Sequence, residues 1–113
     1  MKEVLKILKA LSDENRLKIV ILLKVKPLCV CELKEVLPIA GSTLSAHLKL
    51  LYLSGIIDQN KSGRWIEYFL TDNEKILNLI ESLENFIINR DEIDRDKAKV
   101  LTLTKEICTK SAV

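Results

Sequence analysis

The sequence predicts a mainly α-helical domain with one β-hairpin, on three observations. Only three glycines and two prolines interrupt 113 residues, so long helices are expected. Apolar residues recur at helical spacing on both sides of residues 56–70, and within that stretch the pattern changes to that of strands. At this length we expect one domain, residues 1–113, with a core that a partner subunit would help to cover.

The first two helices are predicted from spacing and capping residues. The apolar face of the first helix consists of Val4, Leu5, Leu8 and Leu11. Ser12 and Asp13 then supply N-cap side chains for a second helix, which ends near Pro27.

A short third helix is predicted from Cys31 to Leu37 and ends at Pro38, and residues 39–41 form a turn. A fourth helix follows from Ser42 to Leu53, with Gly55 as its stop. Its spacing divides it into a buried stripe and an open face: the stripe is Leu44, Leu48 and Leu51, and the open face is Ser42, Thr43, Ser45, Ala46 and Lys49.

Residues 56–60 and 65–70 are rich in β-branched and aromatic side chains and flank the loop Lys61-Ser62-Gly63-Arg64. Two such runs around a glycine-containing loop predict a hairpin. A helix-turn-helix followed directly by a hairpin is a winged helix-turn-helix, with its core at about residues 28–70.

The remaining sequence predicts terminal helices. A wide apolar stripe indicates a helix of about five turns, and its members are Ile76, Leu79, Ile80, Leu83, Phe86 and Ile87. A last amphipathic stretch carries Ile93, Val100, Leu101, Ile107 and Cys108. An apolar stripe this wide predicts a homodimer through the terminal helices, although the helix could instead fold back over its own domain.

Charge and hydropathy narrow the class of protein. Residues 1–57 hold nine Lys and Arg against five Asp and Glu, whereas residues 58–113 hold nine against eleven. The basic half contains the helix-turn-helix, as attraction to phosphates favours. No apolar run approaches the roughly 20 residues that span a bilayer, so we expect a cytoplasmic chain with no membrane partner.

Three cysteines, Cys29, Cys31 and Cys108, are an odd number and do not indicate a disulfide framework. Closely spaced thiols such as Cys29 and Cys31 are soft ligands for soft ions, but they could also be buried small hydrophobes or redox thiols. We predict no catalytic residue, because His47 is the only histidine and no glycine-rich phosphate loop is present.

The order of elements resembles the arsenic-type (ArsR/SmtB) family of metalloregulatory transcriptional repressors. The resemblance covers about residues 5–71, and the segments that together carry it are Leu11-Ser12-Asp13-Glu14-Asn15-Arg16-Leu17-Lys18-Ile19, Leu28-Cys29-Val30-Cys31-Glu32-Leu33, Ser42-Thr43-Leu44-Ser45-Ala46-His47-Leu48-Lys49-Leu50-Leu51, Ser54-Gly55-Ile56-Ile57 and Gly63-Arg64-Trp65-Ile66-Glu67-Tyr68-Phe69-Leu70. It implies a homodimer that binds double-stranded operator DNA when metal-free and leaves it when metal binds.

The resemblance also implies the DNA-contacting residues: Ser42, Thr43, Ser45, Ala46, His47 and Lys49 on the second helix of the motif, and Lys61 and Arg64 on the wing. For His47, packing within the motif is the competing interpretation. The chain departs from the family pattern at Ala40 and Gly41, so the helix cap is expected at Gly41 or Ser42. Ala46 also replaces a longer side chain that could read bases.

By the same resemblance, Cys29 and Cys31 match the first two cysteines of an arsenite site, whose usual third position is Lys34 here. Cys108 is then the candidate third ligand, the expected inducer is As(III) or Sb(III), and no organic cofactor is expected. Alternatives are a cadmium, lead or other soft-ion sensor, a thiol-based redox sensor, and, in a different class, a cysteine-dependent metal-buffering protein.

Overall fold

The predicted helices and the predicted hairpin are all present, and their boundaries differ from the prediction at several points. The structure is a computed structural model that describes residues 1–104, except for the side chain of Ser62. Its elements in chain order are α1 (Lys2–Leu11), α2 (Glu14–Leu23), β1 (Leu28–Cys29), α3 (Val30–Val36), α4 (Gly41–Leu53), β2 (Ile57–Ser62), β3 (Trp65–Leu70), α5 (Glu74–Glu84) and α6 (Asp91–Thr102). The predicted winged helix-turn-helix, with α3 and α4 as the motif and β2–β3 as the wing, is confirmed.

The helices α2 and α4 differ in how their N-termini are capped. Asp13 caps α2, since its carboxylate accepts from the Arg16 backbone N–H at 3.0 Å. The helix α4 begins at Gly41, and its cap position is Ala40, which makes no side-chain capping bond. The prediction of a cap at Gly41 or Ser42 is therefore wrong, because the chain enters the helix one residue earlier on backbone geometry alone.

The sheet has the strand order β1-β3-β2, and both pairings are antiparallel. Ser62 pairs with Trp65, so the wing turns through Gly63 and Arg64, and Gly63 has the positive φ of 62° that the first residue of a type II′ turn requires. The strand β1 is not predicted by the sequence. It pairs Cys29 with Glu67 and so fixes the start of α3 to the wing.

The core lies between α2, α4 and the helices that follow the wing. Residues 19–23 of α2 are buried as a continuous run, together with Leu44, Leu48 and Leu51 of α4. Ile76 and Ile80 of α5 and Ile93 and Val100 of α6 pack into the same core. The apolar stripe of α5 therefore serves its own domain, as the alternative interpretation of that stripe expected.

The predicted five-turn helix is shorter than expected, because α5 ends at Glu84 and Phe86 lies beyond it, 81% exposed. The chain turns there, and α6 starts at Asp91. Leu101 is exposed, and Ile107 and Cys108 lie outside the described residues.

A buried carboxylate holds α2, α5 and α6 together. Glu84 accepts hydrogen bonds from Lys24, the C-cap of α2, at 2.7 Å, from Arg90 at 2.6 Å and from Lys97 of α6. We call these four residues the Glu84 cluster. Burial raises the pKa of Glu84, but the hydrogen bonds from Lys24, Lys97 and Arg90 outweigh it and hold the pKa at about 2.

A row of exposed apolar side chains lies on α1. Val4, Leu5 and Leu8 are about half exposed, whereas Ala10 and Leu11 pack into the core. A row of exposed aliphatic side chains on one helix is the surface that the predicted homodimer needs, so the dimer prediction now depends on α1 more than on α5.

Among residues 1–104 no single helix is long and apolar enough to cross a membrane. Only α3 and α4 taken together reach that composition, as a pair bent by 115°.

Candidate nucleic-acid interface and thiol site

The second helix of the motif, α4, presents the polar face that the sequence predicts. Leu44, Leu48 and Leu51 anchor it, each at most 1% exposed. The opposite side is open to solvent and consists of Ser42, Thr43, Ser45, Ala46 and Lys49. Short hydroxyl side chains on the first turns of a helix suit phosphate and base edges, since unpaired backbone N–H groups already favour an anion there.

The wing exposes its tip. Lys61 and Arg64 are exposed on either side of the Gly63 turn, so both cations are available to a DNA backbone. The long pairing of β2 with β3, from Ile57 with Leu70 to Ser62 with Trp65, makes the wing a defined ribbon. Its β1 partner ties that ribbon to the start of α3.

The helix α3 also places a cation, Lys34, beside the start of α4, and the sequence does not predict this. The ammonium group of Lys34 lies 3.5 Å from the point where a Cβ on Gly41 would stand, at the start of α4. The side chain is exposed. The residue at the third-cysteine position therefore places a positive charge at the end of the helix where phosphate is expected. Its place in α3, the first helix of the motif, is the only signal that the sequence gives for this role.

His47 lies on the buried side of α4. Its side chain is only 12% exposed, its Nδ1 lies 3.0 Å from Nη1 of Arg16, and its Nε2 lies 3.8 Å from the Asp13 carboxylate. The backbone hydrogen bond from Arg16 is the main cause that lowers the pKa of Asp13. This environment matches the packing interpretation of His47, and direct DNA contact by His47 stays a prediction.

Cys29 is buried where β1 meets α3. It is 2% exposed and occupies the N-cap position of α3. The Glu32 carboxylate accepts from the Cys29 backbone N–H at 2.9 Å, and the Cys29 side chain faces the Glu32 backbone N–H, which completes a capping box. Glu32 is itself buried, with Lys26 3.9 Å away. Any ligand that binds the Cys29 sulfur would therefore act directly on the start of α3.

Cys31 lies in the first turn of α3, is half-buried and takes part in a disulfide bond. Cys108, the third predicted ligand, lies outside the described residues. Within residues 1–104 no group of three or more His, Cys, Asp and Glu side chains is placed to hold a metal ion. The structure thus brings two of the three predicted ligand cysteines, Cys29 and Cys31, to the same end of α3.

Known proteins resemble the chain in sequence and in structure. A family model described as bacterial regulatory protein, arsR family, matches residues 13–59. A cadmium resistance transcriptional regulatory protein, CadC, of Listeria innocua is 46% identical over 79 residues, which are 69% of this chain and 66% of that protein. The arsenical resistance operon repressor of Escherichia coli is 41% identical over 68 residues, 59% of this chain and 58% of the repressor.

Among solved structures, the transcriptional repressor BigR from Xylella fastidiosa superimposes with a TM-score of 0.68 at 34% identity, covering 78% of this chain and 90% of BigR. The chain spans just under two thirds of the length of the cadmium-resistance relatives that it matches.

Proposed function

Since this chain belongs to the arsR family of bacterial regulatory proteins, we propose that it is a transcriptional repressor, which binds operator DNA as a homodimer and releases it when a thiophilic ion binds at its cysteines. The observation that carries the proposal is the position of Cys29 and Cys31, the N-cap and second residue of the first helix of the DNA-binding motif.

DNA binding is assigned to two surfaces. Ser42, Thr43, Ser45, Ala46 and Lys49 of α4 face the major groove, and Lys61 and Arg64 of the wing contact the adjacent backbone. In a symmetric dimer the two α4 helices must stand about one helical turn of DNA apart, roughly 34 Å, to reach both half-sites.

Ion binding acts on that geometry through α3. Thiolates at Cys29 and Cys31 that share one ion cannot keep the capping box unchanged, because the Cys29 sulfur faces the Glu32 N–H in it. The helix α3 packs on α4, and Lys34 reaches the start of α4. A shift at the start of α3 therefore moves α4, and the two half-sites lose their alignment.

Trivalent arsenic or antimony is the proposed inducer, with Cys29, Cys31 and Cys108 as ligands. A cysteine pair separated by one residue is a chelating pair for a soft ion, and both thiols must be reduced before they can ligate. Cadmium or lead is the alternative within the same mechanism, because relatives of this chain regulate either arsenical or cadmium resistance. A metal-buffering role would explain the cysteines but not the winged helix.

A second candidate is a thiol-based redox sensor. It is favoured by one observation, that Cys31 is disulfide-bonded in this structure. In that case oxidation, rather than an ion, would alter the first turn of α3 and release DNA.

One titration separates these candidates. Reduced protein bound to a fluorescent duplex from upstream of its own gene is titrated with As(III), Sb(III), Cd(II), Pb(II) and, separately, peroxide. Release by As(III) or Sb(III) at the lowest concentration supports the proposal, and release by peroxide alone supports the redox sensor. A duplex that stays bound under every condition contradicts both. Arsenic K-edge spectroscopy on wild type and Cys108→Ser then decides the third ligand, since an unchanged sulfur count eliminates Cys108.

A further inference from the structure

Arg16 joins three parts of the molecule through one guanidinium group. Its Nε donates to the carbonyl of Ala10 at 2.8 Å, and its Nη2 donates to the carbonyl of Lys9 at 3.4 Å, both in the last turn of α1. Its Nη1 lies 3.0 Å from Nδ1 of His47 on α4. Arg16 is thus a side-chain bridge between α1, which carries the exposed apolar row, and the helix that faces DNA.

The chemistry of arginine determines the state of the histidine. A guanidinium group only donates hydrogen bonds, so Nδ1 of His47 must be the acceptor. The ring is then neutral, with its proton on Nε2, which points toward the Asp13 carboxylate 3.8 Å away. Two charged side chains lie within 4 Å of the ring: Arg16 from α2 and Asp13 from the turn before α2. The helix α1 meets this group through the carbonyls that accept from Arg16.

We propose that Arg16 is a positioning residue for DNA binding: it holds α4 against α1 and α2 through neutral His47, and protonation of His47 breaks this link and weakens DNA binding. The inference rests on the proposed role of α4 as the DNA-reading helix. It assigns His47 to the interior of the motif rather than to the DNA.

Protonation of His47 would place two hydrogen-bond donors, one from the ring and one from Arg16, opposite each other. Protonated His47 carries N–H groups on both ring nitrogens, so its Nδ1–H would face an Nη1–H of a permanently charged guanidinium at 3.0 Å. The ring is largely enclosed, with 12% of its side chain exposed, so turning it away would disturb the packing between α4 and α2. Because Arg16 also anchors the end of α1, the displacement changes how α4 is set relative to α1, the helix with the apolar row.

The two roles of His47 predict opposite effects of acid. If His47 contacted phosphate, protonation would add a cation at the interface, and DNA affinity would rise as the pH falls. If His47 is the acceptor for Arg16, affinity falls instead. The chain has a single histidine, so one spectroscopic signal and one titration report on this residue.

The first experiment needs no DNA. Long-range ¹⁵N–¹H correlation spectra of the reduced full-length protein at about pH 7.5 reveal which ring nitrogen carries the proton. The inference predicts the Nε2–H tautomer in wild type and loss of that fixed tautomer in Arg16→Lys, because one ammonium group cannot reach both α1 carbonyls and the ring. An Nδ1–H tautomer in wild type overturns the inference.

The second experiment measures DNA affinity by fluorescence anisotropy at constant salt, between about pH 7.5 and about pH 5.5, where histidine changes charge. Wild type should lose about tenfold in affinity on acidification, the equivalent of one hydrogen bond to a charged group. His47→Asn keeps an acceptor near the Nδ1 position and does not titrate, so the ratio of its affinities at the two pH values should be close to one, whatever its affinity at the higher pH.

Affinity that rises on acidification, or a His47→Asn variant with the same pH response as wild type, overturns the inference while leaving operator binding intact. Absence of binding at every pH instead contradicts the proposed function, and the tautomer still decides whether the Arg16–His47 link exists.

Discussion

The Glu84 cluster gives the most quantitative prediction. Glu84→Gln keeps the size and shape of the side chain but removes the negative charge that Lys24, Arg90 and Lys97 share. The Glu84 side chain is only 6% exposed, so solvent screens this charge little. An ordinary pKa of 4.5 held at about 2 corresponds to about 3 kcal/mol, at about 1.4 kcal/mol per pH unit. We therefore expect the variant to lose about 3 kcal/mol of unfolding free energy at neutral pH, which also suits the removal of one partner from a buried ion pair.

The sign of the pH dependence follows from the lowered pKa. The folded pKa of Glu84 lies below the unfolded one, so its stabilisation is complete above about pH 4.5 and is lost as the pH falls toward about 2. Urea denaturation, at one fixed protein concentration because a dimer's stability depends on it, should show the gap between wild type and Glu84→Gln narrowing over that range.

Glu81→Gln is the matched control. Glu81 lies one turn earlier on α5 and also pairs with Lys24, but it is 59% exposed, so its removal should cost less than about 1 kcal/mol. Equal losses for the two variants, or a gap for Glu84→Gln that does not change with pH, would refute the account of the cluster.

Three further predictions concern α4, the DNA surface and the dimer. Ala40→Ser supplies the missing side-chain cap of α4 and should stabilise the fold by about 1 kcal/mol in urea denaturation. Lys34→Ala should weaken DNA binding at low salt and make the slope of log affinity against log salt less negative by about 0.9, because one phosphate contact is lost. Leu8→Glu places a charge in the exposed apolar row of α1 and should shift sedimentation from dimer to monomer.

Each of these has its own control. Ala98→Ser, at an exposed position inside α6, adds the same hydroxyl without a cap and should give no gain; an equal gain would contradict the capping argument. Lys75→Ala, at an exposed position of α5, should leave the salt slope unchanged. Leu77→Glu on α5 should stay dimeric, and a dimer that survives Leu8→Glu would remove α1 from the interface.

The elements whose apolar side chains follow a regular period could be predicted from the sequence. Leu44, Leu48 and Leu51 follow the period of a helix, and the wing alternates around a glycine turn, so both elements are visible as patterns. The two residues of β1 are too few to show any period, and their pairing partner lies far along the chain in β3.

The remaining features depend on residues distant in sequence. From the sequence pattern, Glu84 would be placed on the surface at the end of an apolar stripe. Its contacts with Lys24 and Lys97, which are distant in sequence, explain its burial. The contact of Arg16 with His47 spans 31 positions, and neither residue carries a local signal for the other. For the thiol site, the sequence predicts the cysteine types and their spacing, whereas the burial of Cys29 in a capping box depends on the turn from β1 into α3.

The central claim is that ion binding at Cys29 and Cys31 releases DNA, and the most direct measurement is arsenite titration of reduced, operator-bound protein in fluorescence anisotropy. The double variant Cys29→Ser, Cys31→Ser keeps a hydroxyl at the N-cap of α3, so its fold and DNA affinity should be preserved. The account predicts that arsenite releases the duplex from wild type and leaves it bound to the double variant. Release from both proteins at the same arsenite concentration would contradict it.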